Sequence, residues 1–132
     1  MAAWWIVPLV LIVLIGSVVQ LLHFHKERES HFSIDRFYSL MLVYIIVMIG
    51  FGLIYFSLAS EGRIILEDAM LQQESVVDRL AHAIYFSGVT LMTVGYGDIT
   101  PIGIGRVFAL MEALIGCVLP AAYFAPLIYR KE

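Results

Sequence analysis

The chain has 132 residues, of which 61% are hydrophobic and 14% charged, with a formal net charge of −3. Its mean hydropathy of +0.92 is far above that of soluble domains and predicts an integral membrane protein. The absence of a basic block argues against nucleic acid as a partner. The single cysteine, Cys117, excludes an intrachain disulfide, and no Ser/His/Asp or Cys/His arrangement supports an enzyme.

The first apolar segment, residues 2–22, carries no charge and has about the ~20 residues needed to cross a bilayer. Trp4 and Trp5 at its start suit the membrane interface. A cleaved signal peptide would need Lys or Arg before the apolar core, and none precedes it. We therefore expect an additional transmembrane helix, with a helix lying on the membrane surface as the alternative.

A polar linker, residues 23–36, follows and contains Lys26, Arg28 and Arg36 together with three acidic residues. Its three histidines leave a proton-sensing role open, because imidazole titrates near neutral pH. Residues 37–58 are again free of charge and predict a second spanning helix. Gly50 and Gly52 should let a neighbouring helix approach it closely.

The most acidic stretch, residues 60–79, has five acidic side chains against two arginines. Its apolar residues suggest a partly helical cap with one apolar side. Its charge suggests either a negative field that concentrates cations or an ordinary solvated loop. Residues 80–92 are apolar but too short to cross the ~30 Å core, so they predict a re-entrant helix. The end of that helix would direct roughly half a negative charge toward the space below it.

The hexapeptide Thr-Val-Gly-Tyr-Gly-Asp comes directly after this helix. Its glycines disfavour helix and allow the backbone to alternate between left- and right-handed conformations. Successive carbonyl oxygens can then point the same way and replace the hydration shell of a cation. These carbonyls belong to Thr93, Val94, Gly95 and Tyr96. One chain supplies one column of oxygens, so a closed ring needs several copies, whereas a tight glycine-rich turn would need none.

The complete hexapeptide resembles the selectivity filter of tetrameric potassium channels, and the resemblance extends from about Phe37 to Tyr129. It implies an all-α membrane protein of the small prokaryotic type, a homotetramer around the permeant K+. After an N-terminal helix and linker (1–36), the pore domain would span residues 37–132. Its parts would be an outer helix (37–58), an extracellular loop (59–79), a pore helix (80–92), the filter (93–98) and an inner helix (105–128).

The resemblance also implies roles for individual residues. The carbonyls of Thr93, Val94, Gly95 and Tyr96, with the Thr93 hydroxyl, would coordinate K+. Tyr96, Gly97 and Asp98 would support the filter, with Tyr85 as the hydrogen-bond partner of Asp98. Met92 departs from the residues usual before the filter, which leaves a weakly selective cation channel as an alternative.

In the predicted inner helix, Gly116 occupies the position of the family's gating-hinge glycine, with close packing against the pore helix as the alternative. Pro120 removes one backbone hydrogen bond and should bend the same region. The resemblance places Cys117, Pro120 and Phe124 toward the central cavity. It implies that any gate lies near Gly116, Phe124 and Ile128.

Glu112 stands out, because a carboxylate within a spanning helix costs several kcal/mol unless it is paired or protonated. At 100° per residue it lies roughly 140° from Cys117, so we expect it to face protein behind the filter. A hydrogen-bonded brace of the filter is the favoured interpretation. A pH sensor and a neutral buried acid without a special role are the alternatives.

The orientation in the membrane follows from the number of crossings. Three crossings with the filter loop outside put the N-terminus outside and the C-terminus in the cytoplasm. The linker and the C-terminal tail would then hold five basic residues in the cytoplasm, against Arg63 and Arg79 in the extracellular loop, in agreement with positive-inside bias. Arginines at three-residue spacing do not occur in the apolar segments, so voltage sensing of the usual kind is not expected.

These observations predict a potassium channel of the cell membrane, whose partners are lipid, K+ and its own copies, and not an enzyme. Two alternatives of a different kind remain open. One is a non-conducting, pore-like anchoring subunit. The other is the truncated pore module of a larger ligand-gated channel, with a cytosolic regulatory domain or subunit outside this chain.

Overall fold

The structure is a computed structural model that describes residues 3–24, 34–62, 64–68 and 75–128. The elements in chain order are α1 (Ala3–Phe24), α2 (Ile34–Ser60), β1 (Leu66–Asp68), α3 (Val76–Leu91), β2 (Ile99–Pro101) and α4 (Gly105–Ile128). The architecture is thus helical, with two short strands. Most of the polar linker lies outside the described residues, as do the side chains of the three histidines for which a proton-sensing role was left open. So do the segment 69–74 and the basic C-terminal tail.

Two of the described helices are long and apolar enough to cross a membrane, over Phe37–Ser60 in α2 and Gly105–Ala125 in α4. The helix α1 has 22 residues and contains Pro8. Large hydrophobic side chains cover the outward faces of these helices, including Leu42, Leu110 and Leu114. Such surfaces need lipid or another protein chain as a neighbour.

The helix α2 is central, because it packs against α1, α3 and α4. Residues spaced three or four apart on α2 point into the core, as the helical repeat requires: Val47, Phe51, Ile54 and Tyr55 are fully buried. The Tyr55 ring meets the Phe86 ring of α3 edge to face, with the ring centroids 5.1 Å apart.

The predicted close approach at the two α2 glycines is confirmed. A Cβ added at Gly52 would lie 3.0 Å from the Cα of Ile84 in α3. A Cβ at Gly50 would lie 2.9 Å from Cδ2 of Leu14 in α1. The glycines therefore bring the neighbouring helices close to α2 on both sides.

The helix α3 begins at Val76, four residues before the start predicted from hydropathy. Ser75 caps it: its hydroxyl accepts from the Asp78 N–H at 3.1 Å and donates to the Asp78 carboxylate at 2.6 Å. The first turn of α3 is largely exposed and carries the charged Asp78 and Arg79 after two valines, so the predicted apolar stretch began only after it. The helix α2 likewise extends beyond the predicted 37–58, to Ile34 and Ser60, whereas α4 begins and ends where the sequence predicts.

Two strands in the segment between α2 and α4 were not predicted. Within the stretch 60–79, for which the sequence suggested a partly helical cap, residues 66–68 form strand β1 and residues 76–79 belong to α3. Residues 99–101 form strand β2. The strands pair antiparallel, with Glu67 opposite Thr100 and Asp68 opposite Ile99. The Ile102 N–H extends the pairing by donating to the Ile65 carbonyl at 2.7 Å. This pairing joins residues far apart in sequence, which local patterns do not reveal.

Candidate functional site

The hexapeptide is positioned by the C-terminal end of α3. The Met92 N–H donates to the Gly88 carbonyl at 3.0 Å and ends the helix. The N–H groups of Val94 and Gly95 then both donate to the Val89 carbonyl, at 3.0 and 3.3 Å. The hexapeptide backbone is thus folded back onto α3 through its amides.

Left-handed backbone recurs at every second residue of the hexapeptide. The φ angles are +56° at Thr93, +57° at Gly95 and +79° at Gly97. Glycine adopts such angles freely, but a β-branched threonine does so only under strain. Strain of this kind collects at functional sites, where the surrounding structure holds the residue in place.

The carbonyl groups of the hexapeptide contrast with its amides. Within the described ranges, no hydrogen bond reaches the main-chain oxygens of residues 93–96. The whole stretch 92–98 is exposed on the single chain, with Tyr96 at 70%. In a membrane such carbonyls need another partner, because hydrocarbon cannot supply one. The side-chain bracing implied for Tyr96 would need a neighbouring copy.

Asp98 is fixed by two groups, including the one that the sequence singled out. The Tyr85 hydroxyl of α3 donates to Asp98 Oδ2 at 2.8 Å, and the Ile99 N–H donates to Oδ1 at 3.0 Å. The carboxylate therefore ties the end of the hexapeptide to α3 on one side and to strand β2 on the other.

Glu112 lies fully buried on α4, facing protein as the helical repeat predicted. The Tyr55 hydroxyl of α2 donates to its Oε2 at 2.7 Å, and the Ser87 hydroxyl of α3 contacts its Oε1. The Ser87 hydroxyl also lies 2.7 Å from the Met48 carbonyl oxygen of α2. Glu112 thus links α4 to α2 and α3.

Tyr55 and Ser87 were missed by the sequence reasoning. The signal was available, because a buried acid requires hydrogen-bond partners and hydroxyl groups inside apolar segments are the natural donors. The sequence alone does not show which of several hydroxyl groups lies within hydrogen-bond distance of Glu112.

Gly116 packs tightly against α3, the second of the two interpretations left open by the sequence. A Cβ added at Gly116 would overlap the Leu91 carbonyl oxygen and lie 2.8 Å from the Leu91 carbonyl carbon. The Tyr44 hydroxyl, which the sequence did not single out, donates to the Gly116 carbonyl at 2.7 Å. Gly116 is therefore held between α2 and α3.

The remaining inner-helix candidates follow Gly116 on α4. Cys117 is exposed, Pro120 is half-buried and Phe124 is 46% exposed on the single chain. Ile128 is the last residue of α4, and its side chain lies outside the described part. Among the described residues no group of three or more His, Cys, Asp or Glu side chains could hold a metal ion.

Comparisons with known proteins agree with this geometry. A family model described as an ion channel matches residues 43–129. The chain is 37% identical over 112 residues to Protein LctB of Bacillus caldotenax, covering 83% of this chain and 82% of that protein. It is 33% identical over 121 residues to Protein LctB of Geobacillus stearothermophilus, covering 91% and 90% respectively. No solved structure matches the chain.

The family match spans most of α2, all of α3, the hexapeptide and α4, so the site lies within it and α1 precedes it. Together with two helices able to cross a membrane, the match indicates a membrane protein that transports ions. The chain therefore belongs to the ion-channel family, among the small potassium-channel-type pores that its hexapeptide resembles.

Proposed function

We propose that the protein is a potassium-selective channel in which four copies arrange their hexapeptides around a central axis. K+ would pass down its gradient, coordinated by the carbonyls of Thr93, Val94, Gly95 and Tyr96 and by the Thr93 hydroxyl. One observation carries the proposal. The N–H groups of Thr93, Val94 and Gly95 donate to carbonyls of α3, while the carbonyls of residues 93–96 accept no hydrogen bond within the described chain and belong to an exposed stretch.

Symmetry explains why several copies are needed. A single column of carbonyl oxygens covers one side of an ion, and a dehydrated cation must be surrounded. Cyclic arrangement of identical subunits is the ordinary way to close such a ring. The exposed apolar side of α4, with Leu110, Leu114 and Val118, supplies a surface for contact with neighbouring copies.

Selectivity for potassium is supported by the intact hexapeptide and by the restraint on its outer end. Asp98 is held from both sides by Tyr85 and by the Ile99 N–H, which limits relaxation of the carbonyl column. Met92 favours the alternative of a weakly selective cation channel. Its side chain is 61% exposed directly before the hexapeptide, so it adds little side-chain packing at the inner end within the single chain.

The membrane arrangement belongs to the same proposal. Helix α1 would cross the membrane as a third span beside α2, where Leu14 packs into the space above Gly50. The N-terminus would then lie outside and the C-terminus in the cytoplasm of a multi-pass protein. Most of the lysines and arginines of the sequence fall on the cytoplasmic side in this arrangement.

The test is ion flux through the purified protein in liposomes loaded with potassium. We expect potassium efflux that external barium blocks and that sodium cannot replace. Gly95→Ala should abolish the flux, because alanine is disfavoured at a φ of +57° by about 1–2 kcal/mol and would disturb the carbonyl column. Chemical cross-linking of the same sample should give a tetramer.

Gly62→Ala is the matched control. Gly62 also has a positive φ, of +79°, but it lies in the turn after α2 with open space around it. It should bear the same kind of backbone strain and keep the flux. Equal flux of sodium and potassium would replace the proposal by the weakly selective channel. An intact tetramer without flux would replace it by a non-conducting subunit.

A further inference from the structure

Main-chain hydrogen bonding in α4 is interrupted at Pro120. In an α-helix each carbonyl accepts from the N–H four residues later, and proline has no N–H. Pro120 stands four residues after Gly116 within α4, so the Gly116 carbonyl lacks its ordinary donor. In a membrane no water is present in the hydrocarbon to take the place of that donor.

The hydroxyl of Tyr44 stands where this donor is missing. Tyr44 belongs to α2, and its hydroxyl donates to the Gly116 carbonyl oxygen at 2.7 Å. The groove around Tyr44 is otherwise lined by apolar residues, among them Leu40, Met48 and Leu91. Apart from Tyr44 itself, the described lining of the groove is thus apolar.

The contact lies at a tightly packed point of α4, one turn before Pro120. Gly116 is pressed against the end of α3 at Leu91, which fixes its position. Pro120, one turn later, is the first residue of the segment that leads to Phe124 and to the end of α4. Tyr44 thus fastens α2 to α4 one turn before the proline.

We propose that Tyr44 supplies the hydrogen bond that Pro120 removes, and that this tether holds the second half of α4 in its present orientation. The proposal rests on the proposed channel function, in which that half of α4 lines the pore. Tyr44 is a positioning residue: it touches no ion and acts through the direction of α4. A change in that direction must either stretch this hydrogen bond or move α2 as well.

A double-mutant cycle tests the tether. Tyr44→Phe removes the donor, and Pro120→Ala restores an N–H that can serve the Gly116 carbonyl within α4. Two quantities are measured for the four proteins: the equilibrium constant of unfolding in a denaturing detergent titration, and the open-to-closed ratio of single channels in planar bilayers. Tyr38→Phe is the matched control, since Tyr38 is an exposed tyrosine of the same helix.

Tyr44→Phe should lower the folding equilibrium constant about threefold to tenfold when Pro120 is present, as interhelical hydrogen bonds in membranes do. It should also shift the open-to-closed ratio by a similar factor. In the background of the Pro120→Ala substitution both effects should shrink to less than about twofold. Tyr38→Phe should change neither quantity.

Equal effects of Tyr44→Phe in both backgrounds would overturn the tether and leave Tyr44 as a packing residue. If Pro120→Ala does not assemble, Pro120→Leu restores the same N–H and completes the cycle. The unfolding measurement does not require conduction. A protein that carries no current but whose Tyr44 and Pro120 substitutions are coupled in unfolding would reject the channel function and keep the tether. A conducting channel in which the two substitutions are not coupled would keep the channel function and reject the tether.

Discussion

Gly116→Ala is expected to prevent α4 from docking on α3. The added methyl group would overlap the Leu91 carbonyl, which is main chain at the end of α3 and cannot rotate away. Overpacking of a core commonly costs about 1–3 kcal/mol, and a clash with fixed backbone belongs at or above the upper end of that range. We expect loss of the folded assembly in detergent, measured by size-exclusion chromatography and thermal unfolding.

Gly16→Ala provides the matched control for this variant. Gly16 is also a helical glycine, in α1, but a Cβ there would meet nothing within 4 Å. Because alanine favours helix over glycine by about 1 kcal/mol, this variant should be neutral or slightly more stable. If Gly116→Ala behaved like Gly16→Ala, the close packing of α4 on α3 would be refuted, and the hinge interpretation would regain its place.

Glu112→Leu is expected to destabilise the protein by about 2–5 kcal/mol, because it removes the common partner of two buried hydroxyl groups. Tyr55 and Ser87 would lose that partner at the junction of three helices. Glu112→Gln should behave much more like the parent protein. Detergent titration of purified protein gives both free energies of unfolding on one scale.

The expected difference in stability between Glu112→Leu and Glu112→Gln depends on which groups at this site carry a proton. The Ser87 hydroxyl has one proton but faces two oxygens, Glu112 Oε1 and the Met48 carbonyl oxygen. A neutral acid resolves this, since it donates to Ser87, accepts from Tyr55 and leaves the Ser87 proton for Met48. A glutamine side chain can make the same three-way pattern with its amide.

A glutamine variant as unstable as the leucine variant would contradict the neutral acid and require a charged carboxylate at this position. Glu67→Gln is the control for loss of an acidic group as such. Glu67 is exposed on strand β1, so its replacement should leave the free energy of unfolding unchanged. The comparison of the glutamine and leucine variants also decides between a hydrogen-bonded brace and a pH sensor, whose charge must change.

Local sequence signals were sufficient for the helices and for part of the site. Long charge-free runs predicted α1 and α2 to within a turn of their ends, because hydropathy is a property of each segment alone. The bounds of α4 came instead from the resemblance of the chain to known channels. The helical repeat placed Glu112 toward the protein interior, since 100° per residue holds in any regular helix. The pairing of Tyr85 with Asp98 came instead from the resemblance of the hexapeptide to known filters.

The features that were missed depend on partners distant in sequence. The strand β1 owes its conformation to Thr100 and its neighbours after the hexapeptide, and nothing within residues 66–68 indicates this. Tyr44, Tyr55 and Ser87 look alike in sequence, as lone hydroxyls in apolar segments. Only the crossing of α2, α3 and α4 selects which oxygen each one meets.

The pairing of β1 with β2 brings together the two ends of the segment between α2 and α4 that contains α3 and the hexapeptide. Asp68 stands opposite Ile99, and the same aspartate lies 3.6 Å from Nδ1 of His82 in α3. The segment that contains α3 and the hexapeptide therefore has its two ends side by side, one after α2 and the other before α4. A segment with adjacent ends can be exchanged as a unit between related proteins without changing the distance between the helices that flank it. In the proposed channel, such an architecture would let evolution replace the proposed filter separately from α2 and α4.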